Sequence, residues 1–267
     1  SLLVSLALAA SFSVAQEASA QPSVLIYGPG DSGNAQAHFP PGTMVTVATE
    51  AVWRGMSAED FGAFDLLWIN GGNCESPPQT FLSAAAETEA VWGRAAGGRA
   101  VYTTADHVYH ANTGNTGARR VIANSVDWLG GLGSNASGGQ TGVWFSWSCL
   151  QFTPGNIENA ASFPTAFPGV AIANLNTETN LTMTPVHPTL TGVPATGGNS
   201  LVYSSFCHGQ VTDQPSEWTP LVTCAGAAVP GSHGFMVRDS RPCAGAIDCV
   251  DGIECTQDVC TAGVCTN

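Results

Sequence analysis

The sequence predicts an α/β domain built on a mostly parallel sheet flanked by helices, with a small cysteine-rich repeat after it. Three observations carry that expectation. Short, nearly continuous apolar runs recur between Ser23 and Gly130, as strands buried on both faces require. Helical segments separate them, which is the alternation of a sheet covered by helices. The composition then changes near Ser240, where four cysteines crowd into the last nineteen residues.

VLIY (24–27) reads as the first strand. It runs into Gly28-Pro29-Gly30-Asp31-Ser32-Gly33, formally a G-x-G-x-x-G motif. That motif binds pyrophosphate through backbone N–H groups at a helix N-terminus. Pro29 removes one such donor, Asp31 adds a negative charge, and AHFPPG follows in place of a helix, so a tight strand-end loop is expected. MVTVAT (44–49) is the second strand, and FDLLWIN (64–70), ending in the turn residues GGN, is the third. Residues 78–98, PQTFLSAAAETEAVWGRAAGG, begin with proline and end in Gly-Gly, the asymmetry of a helix. Gly98-Arg99 leads into AVYTT (100–104), the fourth strand, and TGARRVIANSVDWLGGLG is a second helix. Beyond Gly130, SNASGGQTG (134–142) reads as a polar loop. VWFSW, GVAIANL, LVYSSF and HGFMVRD then read as short strands completing the same sheet, a separate β domain being the alternative.

The organisation expected is a signal peptide over 1–20, the α/β domain over 22–240 and a cysteine-rich repeat over 243–267. The signal reading rests on the apolar run Leu2–Ala10, followed by small residues and A-x-A-like cleavage sites after Ala15 or Ala20. A basic start is expected to precede Ser1, and further repeats to follow Asn267. No membrane span is expected in the mature chain. Acidic residues outnumber basic ones 20 to 7, for a net charge of −13, and lysine is absent. Such a chain repels nucleic acid and anionic membranes, which recruit clustered Lys and Arg. The missing lysine also excludes P-loop, Schiff-base and S-x-x-K chemistry.

Nine cysteines in an exported chain point to disulfides. Cys249, Cys255, Cys260 and Cys265 are expected to staple the tail, which is too short and too polar to fold on a core of its own. Among the others, Cys149, Cys207 and Cys224 are expected to pair among themselves or with Cys74 or Cys243, with one cysteine left over. Cys207-His208 has the look of a nucleophile and its base, but adjacent strand residues point to opposite faces, so a disulfide is the expectation for Cys207.

The stretch AVYTTADHVYHAN (100–112) collects the candidate chemistry. It lies where the fourth strand turns into a helix, at the carboxyl edge of the sheet, where open α/β sheets bind ligands. Asp106, His107, Tyr109 and His110, with Gly71, Gly72 and Asn73 after the third strand, are the expected ligand cleft. His107 and His110, three apart, would share one side of a helix beginning near Asp106. With Asp106 they make a weak candidate set for zinc or iron; the bland alternative has Asp106 capping the helix and the histidines lining a polar cleft. Catalytic candidates are Asp106, His107 and His187. No cofactor is expected, a divalent metal at these residues being the rival.

Two resemblances add to this reading. Cys249, Asp251-Gly252, Cys255-Thr256, Asp258, Cys260 and Gly263-Val264-Cys265-Thr266 resemble the short cysteine-rich repeat of slime-mould extracellular matrix proteins, which also occurs in tandem in secreted proteins of myxobacteria-like bacteria. The resemblance covers one repeat, at 249–267, and implies a surface or matrix protein with a non-enzymatic stalk. Over about residues 22–240, FDLLWINGGN, the stretch Gly97–His110 with its AVYTTADHVYH, and His187-Pro188-Thr189-Leu190-Thr191-Gly192-Val193 resemble the class I glutamine amidotransferase-like superfamily, in particular its trehalose-utilisation-protein-like branch. That resemblance implies a flavodoxin-like sheet and a cleft in which His187 would join Asp106 and His107. Members that act as amidotransferases carry a cysteine at the elbow, on which the acyl-enzyme forms; here the elbow reads Thr104-Ala105-Asp106-His107.

The functional expectation is a secreted or cell-surface protein whose α/β domain is non-catalytic and binds an extracellular or cell-surface protein or glycan. The alternative is a secreted hydrolase, carbohydrate-directed or metal-dependent, using Asp106, His107, His110 and His187. A third reading makes the α/β domain a spacer in a structural matrix protein.

Overall fold

The structure, a computed structural model, describes residues 21–30, 34–71, 82–130, 141–147, 163–174, 181–183, 187–194, 209–224, 233–239, 259–261 and 264–266. The leader segment 1–20, LVYSSF (201–206) and Cys74, Cys149, Cys207, Cys243, Cys249 and Cys255 lie outside these residues, and the expected cysteine pairings fall there with them.

The fold is α/β, with a mixed sheet whose N-terminal strands run parallel. Strands β1 (Ser23–Tyr27), β2 (Met44–Ala48), β3 (Leu66–Asn70), β4 (Ala100–Thr103) and β5 (Gly142–Ser146) line up as β2-β1-β3-β5-β4, every neighbouring pair parallel. The later strands β6 (Ala171–Asn174), β7 (Leu181–Met183), β8 (Gly209–Asp213), β9 (Thr219–Cys224) and β10 (His233–Arg238) extend the same sheet with antiparallel pairings, β10 lying against β4. The expectation that the second half completes one sheet therefore holds, but its strands turn antiparallel. The final segment forms a separate hairpin, β11 (Val259–Thr261) with β12 (Val264–Thr266), whose register sets Cys260 opposite Cys265.

Burial on both faces explains the apolar runs. In β3, Leu66 and Trp68 join one core with Val24, Ile26, Val101 and Trp144, while Leu67 and Ile69 join the other with Leu25, Tyr27, Tyr102 and Phe145. Strand side chains alternate faces, so a strand with helices on both sides must be apolar at every position. Trp68 and Trp144, in register on β3 and β5, stack with centroids 4.4 Å apart and planes 5° off parallel. On the opposite face Tyr102, Phe145, Phe163 and Phe167 form a run of edge and tilted contacts.

The helices are α1 (Glu50–Gly55), α2 (Ala58–Gly62), α3 (Ser83–Glu87), α4 (Glu89–Ala95), α5 (His107–Asn112) and α6 (Thr116–Gly130). The single helix expected over 78–98 is two, broken at Thr88, whose hydroxyl donates to Ala84 O and accepts from Trp53 Nε1. Helix α2 carries a full capping box, Ser57 and Asp60 each accepting from the other's backbone N–H. Helix α6 buries Val121, Ile122, Val126 and Leu129 against the Trp68–Trp144 face, the positions that one stripe of an amphipathic helix supplies.

The loop after β1 opens as a short 3-10 turn, Gly28–Gly30, and no α-helix follows it before β2. Gly28 is dictated by crowding: a Cβ there would sit 2.5 Å from Ala48 O, at the end of β2. No helix among the described residues is long and apolar enough to cross a membrane.

Candidate functional site

Strands β3, β5 and β4 end side by side, and each ends in a polar residue after an apolar run. The register sets Asn70 beside Ser146 and Ser146 beside Thr103. All three are buried. Buried polar groups need partners, and here they tie the elbow down. Thr103 Oγ1 donates to Gly234 O (2.9 Å) and accepts from Ala105 N (3.0 Å). Thr104 Oγ1 donates to Gly209 O (2.8 Å), and Ser146 Oγ to Ala105 O (2.8 Å). Gly71, whose N–H donates to Ser146 O, closes the row. Gly209 and Gly234 belong to β8 and β10, so the C-terminal half of the chain clamps the turn made by the N-terminal half.

Asp106 occupies the cap position of α5 with φ −100° and ψ 53°, but its carboxylate makes no capping bond. The expected helix cap is thus corrected: a capping side chain reaches the first-turn amides from an extended backbone, and Asp106 is not extended. Its Oδ1 instead lies 3.1 Å from His110 Nε2, an i,i+4 pair with the carboxylate buried and the imidazole largely so. Tyr109 packs its ring edge-on to His110.

The two histidines do not share an environment. His107 is turned into the core, between Trp144 and Phe235, with ring centroids 5.5 Å from each. Burial pushes its imidazole down to about 3, against the opposing pull of the Asp106 charge, while His110 adds a small push in the same direction as burial. The hydroxyl of Thr103 lies 3.4 Å from His107 Nε2; with its own proton given to Gly234 O, it can only accept there. The expectation that His107 and His110 present one face to a ligand is therefore corrected, because a one-and-a-half-turn helix anchored at its start faces the core with its first residue. Among the described residues no three His, Cys, Asp or Glu groups stand close enough to hold a metal. Of the expected set, the contact that forms is between Asp106 and His110.

His187 stands elsewhere. It caps the 3-10 turn Pro188–Leu190, its Nδ1 accepting from Thr189 N, and packs edge-on against Trp128 at 4.7 Å. Burial lowers its pKa; Asp239 pulls the other way and Arg99 adds to the lowering. Trp128 lies near the C-terminus of α6 and Arg99 just before β4, whereas Asp106 follows the end of β4. His187 and Asp106 therefore sit at opposite edges of the sheet, separated by the length of β4, on the order of 10 Å. The clustering of His187 with Asp106 and His107 is not what the fold brings about. Beside His187, Arg99, Asn124, Asp127, Trp128 and Pro188 line a cavity of about 390 Å³, in which burial raises the Asp127 carboxyl above its usual range. Gly72 and Asn73 lie outside the described residues.

Chemically, an aspartate behind a histidine orients an imidazole for proton transfer. What the elbow's hydroxyls supply is structural: each gives its one proton to a backbone carbonyl, and Thr103, Thr104, Ala105, Asp106 and His107 are all buried. Asn70, Thr103 and Ser146 were absent from the residues expected at the site, although a polar residue closing each of three apolar strands was the available signal. No family model and no curated protein matches this chain.

Proposed function

We propose that this chain is a secreted or cell-surface protein whose α/β domain binds a partner without turning it over, joined to a cysteine-rich matrix-type stalk. In this reading the domain keeps an amidotransferase-like arrangement and uses the elbow as a structural joint. One observation carries it: the hydroxyls of Thr103, Thr104 and Ser146 all donate to backbone carbonyls. A nucleophile needs its proton available to a neighbouring base, and here the nearest imidazole, His107, faces a hydroxyl that can only accept from it. Export rests on the leader-like segment, and the stalk on the repeat at 249–267. The excess of acidic residues suits a protein kept soluble outside the cell and away from nucleic acid.

The alternative, a secreted hydrolase, draws on the Asp106–His110 contact. The two readings separate in one assay. Purified protein is incubated with glutamine and with panels of chromogenic esters and glycosides, beside its Asp106→Asn and His110→Ala variants. Release at the buffer rate for all three proteins is expected; turnover that either variant abolishes would overturn the proposal.

A further inference from the structure

We infer a second, unassigned site: a groove on the outer face of α6 that binds an oxyanion carried on a small hydroxylated molecule, such as an acidic sugar. The groove, about 610 Å³, lies between α6 and the 3-10 turn Ala35–His38 and is lined by His38, Phe39, Thr116, Arg119, Arg120 and Asn124, among others. This inference goes beyond the reading of the elbow and does not depend on it.

The charge distribution is the first argument. The chain has seven basic residues against twenty acidic ones, and Arg119-Arg120 is its sole adjacent basic pair. Acidic partners are abundant, yet among the described residues the ion pairs are those of Arg54 with Glu50 and Glu87 and of His110 with Asp106. Arg119 and Arg120 thus bring two guanidinium charges to one concave surface without a described carboxylate to neutralise them. Guanidinium forks match carboxylate, sulfate and phosphate oxygens in pairs.

Preorganisation is the second. Arg119 Nε donates to Ala111 O at 2.8 Å, and Arg120 Nη1 donates to Gly192 O. Each side chain is held by one donor and keeps others for a ligand. Gly192 has φ +67°, and a Cβ there would lie 2.8 Å from Arg120 Nη1, so the backbone makes room for the guanidinium. His38 Nε2 is fixed 2.7 Å from Asn112 Oδ1. Holding donors before the ligand arrives lowers the ordering cost of binding.

The remaining lining sets the ligand class. Asn124 spends its Nδ2 on Thr189 O and Thr191 O, which leaves its Oδ1 as an acceptor for a ligand hydroxyl. Phe39, packed edge-on against Trp68 at 4.9 Å, supplies an apolar wall. A volume of about 610 Å³ exceeds a bare oxyanion and lies within the range of small-molecule sites.

Isothermal titration of the whole protein with galacturonate, galactose, inorganic sulfate and inorganic phosphate tests this. Galacturonate is expected to bind at least tenfold more tightly than galactose. The sulfate and phosphate arms show which oxyanion the arginines prefer. Arg119→Gln/Arg120→Gln is expected to weaken galacturonate binding at least tenfold. Ala123→Glu places a carboxylate in the groove without touching either arginine's anchor; it is expected to do the same, and carries the test if the double variant fails to fold. Galacturonate binding no tighter than galactose, or undiminished in the folded variants, overturns the inference. Neither result bears on turnover at Asp106 and His110.

Discussion

Lowering the pH from 7 to 5 charges the histidines of an unfolded chain, but not His107 in the folded one. Its ring is enclosed between Trp144 and Phe235, and burial holds its pKa at about 3, down from 6.5. The folded pKa is below the unfolded one, so the unfolded state binds the proton first. The contribution of His107 to stability is whole above about pH 6.5 and is lost progressively as the pH falls toward 3. Between pH 7 and pH 5 the unfolded chain takes up most of a proton at this position and the folded chain almost none, a loss of about 2 kcal/mol. Urea unfolding followed by tryptophan fluorescence, at both pH values, measures it. The comparison is with His107→Leu, which removes the titrating group and keeps an apolar side chain. Whatever that substitution does to stability at pH 7 cancels when each protein is compared with itself. The unmodified protein is expected to lose about 2 kcal/mol more than the variant on acidification. Equal losses would show that His107 takes up its proton in the folded state, and the enclosed-imidazole account would be wrong.

Two further outcomes follow from the elbow and the first loop. Thr103→Val keeps the shape of the side chain but strips Gly234 O and Ala105 N of their shared partner; a loss of about 2 kcal/mol is expected in the same unfolding assay. Gly28→Ala drives a methyl group to 2.5 Å from Ala48 O, and a loss of about 1–3 kcal/mol is expected, visible as a lowered thermal midpoint.

The parallel core was legible because two-sided burial leaves a plain mark: VLIY, LLWI, AVYT and GVWF have nowhere to place a charge. The later strands were harder. GQVTD and TPLVTC mix polar residues with a proline, and β8 and β9 hold their place through pairing with β10 and not through local pattern. The short helices α1 and α2 escaped because their signal is in the caps; Ser57-x-x-Asp60 was there to be read. At the candidate site, spacing three suggested His107 with His110, while the contact formed is at spacing four, Asp106 with His110. The position of His187 depends on a turn packed along α6, a tertiary arrangement that no local pattern encodes.

The placement of β5 between β3 and β4 has a consequence for how the chain is made. Both flanking strands leave the ribosome before residues 142–146 exist, and each then presents an unpaired edge with Trp68 or Val101 beside it. The central seam closes only when β5 inserts, joining two ladders at once. A chain arrested short of residue 146 is left with two incomplete half-sheets bearing open, apolar edges, the kind of intermediate that associates with other chains. Assembly of this domain is therefore a late, all-at-once event during synthesis, and β5 is the segment on which it turns.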